Sequence, residues 1–161
     1  MTSIHAIIPG DFVFGDLLDR IAEKHGCPER IDITTLSISE RNVQTLLKLA
    51  NHASAPELTL LLSYYFRSTN KDIFRAVETL LVPKANCRVA IGRVHTKVIL
   101  LDYPGRPLVI ESSANLRSSN CIEQVTILCS EALLKFHRAW IDEFQALAAD
   151  GNHESMVSFT Q

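Results

Sequence analysis

The feature that most constrains this chain is where its hydrophobic period switches between helix and strand. Phe14, Leu17, Leu18 and Ile21 recur at helical spacing, which predicts an amphipathic helix over 11–25, ended by Gly26 and Pro28. Residues 31–38 alternate β-branched and apolar side chains and read as a strand. Ser39 then stands where it could cap a helix striped by Val43, Leu46, Leu47 and Ala50. Pro56 precedes a second strand over 58–65. Thr69-x-x-Asp72 has capping-box form ahead of a helix carrying Ile73, Phe74, Val77 and Leu80. From Cys87 the pattern becomes a run of strands, over 87–91, 94–101, 108–112 and 122–128, with turn chemistry at Tyr103-Pro104-Gly105. A last helix starts near Ser130, with Leu133, Phe136, Trp140, Ile141, Phe144 and Leu147 on one stripe.

Two strand–helix alternations call for some parallel pairing, because parallel neighbours need a crossover connection. The strand-rich second half turns this into a mixed α/β class, a mixed β-sheet flanked by helices. No repeat, linker or low-complexity stretch interrupts it. One domain is therefore expected over 1–150, with 1–30 as a helical lead-in and the polar residues 151–161 as a tail that frays.

Composition narrows the class further. The 161 residues are 47% hydrophobic, enough for a core without staples. The longest apolar runs, such as 58–62 and 98–101, are far too short for a membrane span. No Lys or Arg precedes an apolar stretch at the start, so no secretory signal is expected in the chain as given, and a cytoplasmic setting is. Cys27, Cys87, Cys121 and Cys129 show neither C-x-x-C pairing nor finger spacing to a histidine, which argues for idle thiols over zinc. A net charge of −2 argues against coating duplex DNA by bulk electrostatics and leaves room for a local basic groove.

The chemistry concentrates in Val94-His95-Thr96-Lys97-Val98-Ile99-Leu100-Leu101-Asp102. On a strand, His95 and Lys97 would leave the same face, amid apolar neighbours. An ammonium in such surroundings is costly unless an anion pairs with it, so an anion site is expected. Lys97 would hold negative oxygen and His95 would do proton or nucleophile work. The alternative is an edge strand with a wet outer face. Downstream, Ser113 and Asn115 fall two apart at a strand end, where hydroxyl and amide donors could complete a phosphate cradle. Glu123 opens the next strand, and a carboxylate beside an imidazole would fix its tautomer. Loop and cap chemistry is the alternative for each of these three. Arg93 and Arg117 flank these elements as a candidate substrate rim, joined by Arg67. Tyr64, Tyr65 and Phe66 could stack on bases there or simply pack under a loop.

H-x-K-x-x-x-x-D, here His95, Lys97 and Asp102, resembles the signature of the phospholipase D superfamily. In that family a G-S-x-N element and then a Glu follow, and Ser112-Ser113-Ala114-Asn115 and Glu123 stand in those places. The β-α-β-α-β-β order is similar to one superfamily half from about Ile31 to Ala148. In particular the chain looks like the single-motif, nuclease-type group of bacteria and their phages. Two departures are visible: Ser112 replaces the glycine, and the hairpin between Asp102 and Ser113 is longer than usual there.

The resemblance implies a metal-independent phosphodiesterase that needs no cofactor and works as a homodimer, because two motifs share one active site and this chain carries one. His95 would form a phosphohistidine and the second copy's His95 would serve as acid and base. Lys97 and Asn115 would neutralise phosphoryl oxygens, Ser113 would assist, and Glu123 would hold the imidazole. Asp102 sits five residues after Lys97, so alternation turns it away; a structural role stands beside a catalytic one. A nucleic acid is the expected substrate, since no predicted helix offers a strong basic interfacial face for lipid. The alternatives are a phospholipase or phosphatidyl-transfer enzyme, and a catalytically silent dimeric nucleic-acid-binding module.

Overall fold

The computed structural model describes residues 2–10 and 12–149. The tail expected over 151–161 lies outside the described residues. Four strands build the centre: β3 (Arg30–Thr35), β4 (Glu57–Ser63), β5 (Cys87–Gly92) and β6 (Val98–Asp102). Around them run β1 (Thr2–Ile8), β2 (Phe12–Val13), β7 (Leu108–Ser112), β8 (Ser118–Ser119) and β9 (Glu123–Cys129). The helices are α1 (Phe14–His25), α2 (Glu40–Ala50), α3 (Tyr64–Thr69), α4 (Lys71–Leu80) and α5 (Glu131–Ala149).

Seven strands form one sheet in the order β1-β9-β7-β6-β3-β4-β5. β3, β4 and β5 run parallel; every other pair in the sheet is antiparallel. β2 and β8 make a separate two-stranded ribbon. The sheet is mixed and flanked by helices, as the sequence predicts. β3 and β4 are buried almost end to end, the pattern of strands covered on both faces. Alternation along β6 sorts its side chains between two cores. Ile99 and Leu101 pack with Phe14 and Leu18 of α1, Val43 and Leu46 of α2, and Phe74 and Val77 of α4. Val98 and Leu100 pack instead with Leu134 and Ile141 of α5. A Cβ at Gly92 would clash with the Phe144 ring, so glycine lets α5 close directly over the end of β5.

Several boundaries differ from the sequence expectation. The lead-in is not wholly helical: β1 pairs with β9 along its length, and α1 begins at Phe14 because Phe12 and Val13 pair with Ser119 and Ser118. β1 carries no alternating pattern, and its Ile4 and Ile7 remain 59% and 65% exposed. Backbone pairing to β9 holds it, and that leaves no hydrophobic period to read. β4 stops at Ser63, whose Oγ accepts from Phe66 N at 2.9 Å and caps α3. Tyr64, Tyr65 and Phe66 are thus helical. The Thr69–Asp72 capping box does not form; Thr69 ends α3 and its hydroxyl donates to Tyr65 O. Ser39 occupies the N-cap of α2, yet its hydroxyl makes no capping bond.

Candidate functional site

β6 runs antiparallel to β3, so it starts where β3 ends, with Val98 opposite Thr34. β7 runs antiparallel to β6 and ends there too, with Glu111 opposite Val98. β9 begins beside that end, with Val125 opposite Ser112. One edge of the sheet therefore gathers the loop before β6, the loop after β7 and the start of β9. This is also the end where the parallel strands β3, β4 and β5 finish, the usual place for a site in an α/β sheet.

His95 and Lys97 do not lie on a strand as expected. Residues 94–97 leave the ladder between β5 and β6. The two side chains meet nonetheless: Lys97 Nζ donates to His95 O at 2.8 Å and lies 3.5 Å from His95 Nδ1. His95 is exposed and Lys97 half-buried. Burial lowers the Lys97 pKa below the ordinary lysine value, and the Glu123 charge opposes that shift. The loop is tied at three points: Thr96 Oγ1 to Thr34 Oγ1 at 2.9 Å, Val98 N to Thr34 Oγ1 at 3.2 Å, and Ser112 N to Lys97 O at 3.1 Å.

The loop after β7 is held by its own serines. Ser112 Oγ donates to Gln124 O and accepts from Ala114 N, both at 2.9 Å. A glycine could make neither bond, so the departure at this position is built into the loop. Ser113 Oγ donates to Glu123 Oε2 and accepts from Gln124 N at 2.9 Å. Asn115 Oδ1 sits 3.5 Å from Thr35 Oγ1, and Leu116 bridges to Ile38 beside β3. That crossing brings Asn115 from β7 over to the tip of β3.

Glu123 is not bonded to the imidazole within this chain. Its carboxylate accepts from Ser113 and, at 3.1 Å, from Ser119 Oγ, a residue the sequence reading missed. Asp102 lies outside the site altogether. It ends β6 and accepts from Arg138 Nη1 of α5 at 2.7 Å. The same arginine donates to Asp32 Oδ2 at 3.3 Å, and Arg30 Nε donates to Asp32 Oδ1 at 2.8 Å. Asp102 thus belongs to an ion network under α5, with a helix residue as its partner.

Arg93 and Arg117 are exposed beside the two loops, and neither side chain has a hydrogen-bond or ion-pair partner among the described residues. Phe66 is fully buried and cannot stack on a base; Tyr65 is 61% exposed and Tyr64 half-buried. Tyr64 and Arg67 instead line a groove of about 350 Å³ beside β5, with Arg67 Cζ 5.8 Å from the Phe74 ring. Among the described residues no helix is long and apolar enough to cross a membrane.

No protein-family model and no curated protein sequence matches the chain. Solved structures do. NucT from Helicobacter pylori superposes with a TM-score of 0.65 at 14% identity, over 88% of this chain and 95% of that one. Polyphosphate kinase from Porphyromonas gingivalis gives 0.64 at 14% identity, over 99% of this chain and 27% of the kinase. Phosphatidylserine synthase from Haemophilus influenzae Rd KW20 gives 0.57 at 12% identity, over 90% and 38%. Sheet order, helix placement and these superpositions together show that the chain has a phospholipase D-like fold.

Proposed function

We propose that this protein is a metal-independent phosphodiesterase, a nuclease, that acts through a phosphohistidine at a homodimer interface. One observation carries the proposal: an exposed imidazole lies beside a half-buried ammonium, where the loop bearing Asn115 crosses the same strand ends. The fold shared with NucT supports it.

The chemistry needs a nucleophile, a general acid and donors for the phosphoryl oxygens, which two copies of the chain can supply. The unprotonated nitrogen of one His95 attacks phosphorus, forming an N–P bond as the P–O bond to the leaving group breaks. A protonated His95 from the second copy gives its proton to the departing oxygen. That same imidazole then removes a proton from water, which attacks phosphorus and breaks the N–P bond. Lys97 and Asn115 of both copies neutralise the charge on the non-bridging oxygens. Glu123 supports them through Ser113 and Ser119 and through its field on Lys97. The unpaired Arg93 and Arg117 offer guanidinium donors to further phosphates of a nucleic acid.

The test is cleavage in excess chelator, with His95→Ala in parallel, on single- and double-stranded DNA, RNA, phosphatidyl substrates and a chromogenic phosphodiester. Turnover of nucleic acid by the wild type alone is expected. Turnover of lipid alone would replace the nuclease with a phosphatidyl-transfer enzyme. No turnover of any substrate would overturn the enzymatic assignment in favour of a silent binding module. Sedimentation of the same preparation checks the dimer; an active monomer would contradict the shared site.

A further inference from the structure

We infer that Thr34 and Thr35, the last two residues of β3, are positioning residues that set the two catalytic loops in register with each other. The inference rests on the phosphodiesterase assignment above. Both threonines are 1% exposed, in a strand where valine would pack equally well. Adjacent residues of a strand face opposite sides of the sheet, so their hydroxyls act from opposite faces of one strand tip.

Each hydroxyl serves one loop. Thr34 Oγ1 accepts from Thr96 Oγ1, between His95 and Lys97, and from Val98 N, where that loop joins β6. Thr35 Oγ1 accepts from Leu116 N at 3.0 Å, next to Asn115, and donates to Ser37 O at 2.9 Å. The backbone amides of Val98 and Leu116 thus donate to threonine side chains. A buried amide without a partner is costly, so each loop is driven onto its threonine. Because Thr34 and Thr35 are consecutive, the spacing between the Lys97 loop and the Asn115 loop is fixed by a single peptide unit, which has little freedom to deform. A direct bond from Ser112 N to Lys97 O joins the two loops as well.

The experiment compares Thr34→Val and Thr35→Val, which remove only the hydroxyl, with Thr34→Ser and Thr35→Ser, which keep it. Hydrogen exchange reads the clamp directly, and kinetics on the chromogenic phosphodiester read its consequence. Exchange should quicken at the Val98 amide in Thr34→Val and at the Leu116 amide in Thr35→Val. Since a displacement of about 1 Å can cost a hundredfold in rate, kcat should fall by about 10- to 100-fold in either valine variant. KM should rise mainly in Thr35→Val, which loosens the Asn115 oxygen-binding loop, and both serine variants should return to within about threefold of wild type. Should Thr34→Val not fold, Thr96→Val removes the same side-chain bond from its exposed end; Thr35→Ala is the second variant for the other loop. Valine variants that fold and turn over like wild type would overturn the inference, as would serine variants as impaired as the valines. Wild-type turnover with active valine variants sinks this inference alone, whereas a silent wild type removes the phosphodiesterase assignment and the inference together.

Discussion

β6 has two unlike ends: one short motif opens to solvent at one of them and is locked to a helix at the other. Before its first residue lie His95 and Lys97, outside the ladder, solvent-accessible and, among the described residues, without a carboxylate partner in hydrogen-bond contact. At its last residue lies Asp102, bonded to Arg138 and through it to the fully buried Asp32. Asp102 lies five positions beyond Lys97, about 17 Å along the strand. No single active site spans that distance with side chains of this length. The near end is left with unspent hydrogen-bonding capacity, which is what a substrate needs. The far end has spent nearly all of it on α5. Three residues of one motif therefore divide into two that share an open loop and one that fastens a helix to the sheet.

The largest break in this comparison should come from His95→Ala. Loss of the nucleophile is expected to lower turnover by at least ~10³-fold, with a melting temperature like that of the wild type. A variant that melts early would move His95 to the architectural side. Asp32→Ala should do the converse. It leaves Arg30 and Arg138 facing each other around a vacated buried site, and breaking such a pair costs about 3–5 kcal/mol. Denaturant unfolding should show that loss, while the rate per folded molecule stays within about twofold.

Asp102→Asn is a sharper and smaller test. Arg138 keeps Asp32, so stability should fall by about 1 kcal/mol with turnover unchanged. A large loss of turnover in a stably folded Asp102→Asn would return Asp102 to the catalytic set. Ser112→Gly restores the residue usual in the resembled family and removes two hydroxyl bonds from the near end. A cost of about 1 kcal/mol is expected, with greater mobility of the Asn115 loop. A stabilised variant would show that the hydroxyl bonds do not anchor the loop.

The smallest effect is a pH dependence at the far end. Burial raises the Tyr103 pKa from 10.0 to about 12, while its hydroxyl donates to Gly26 O. The folded state holds the proton that the unfolded chain releases near pH 10, so this contribution is fully present below pH 10. It is lost as pH rises towards 12. Tyr103→Phe should remove that decline from the stability profile, and an unchanged profile would refute the assignment of the decline to Tyr103.

Much of this was legible in the sequence. The two strand–helix alternations and, apart from residues 94–97, the following strands lie where the hydrophobic period places them, because period reports which face is buried. Val43 and Leu46 are buried on α2, and Ile31 and Ile33 on β3. His95 and Lys97 stood out because an imidazole and an ammonium among apolar residues need a reason. What escaped notice has no period. β1 is held by backbone bonds to β9; residues 94–97 resemble a strand in composition but lie outside the ladder, tied to the ends of β3 and β7; and Thr34 and Thr35 look like ordinary β-formers.

The sequence by itself determined the mixed α/β class and singled out His95 and Lys97 as candidates, since burial pattern and motif are properties of local composition. Only the tertiary structure decided which groups share a site. Antiparallel pairing of β6 with β3 and β7 puts Lys97, Asn115 and Glu123 at one end of the sheet and Asp102 at the other. Hydrogen bonds from distant loops then decide which hydroxyls are free and which are bound. Spacing along the chain cannot encode that outcome, because it depends on strands that pair only after the chain has folded back on itself.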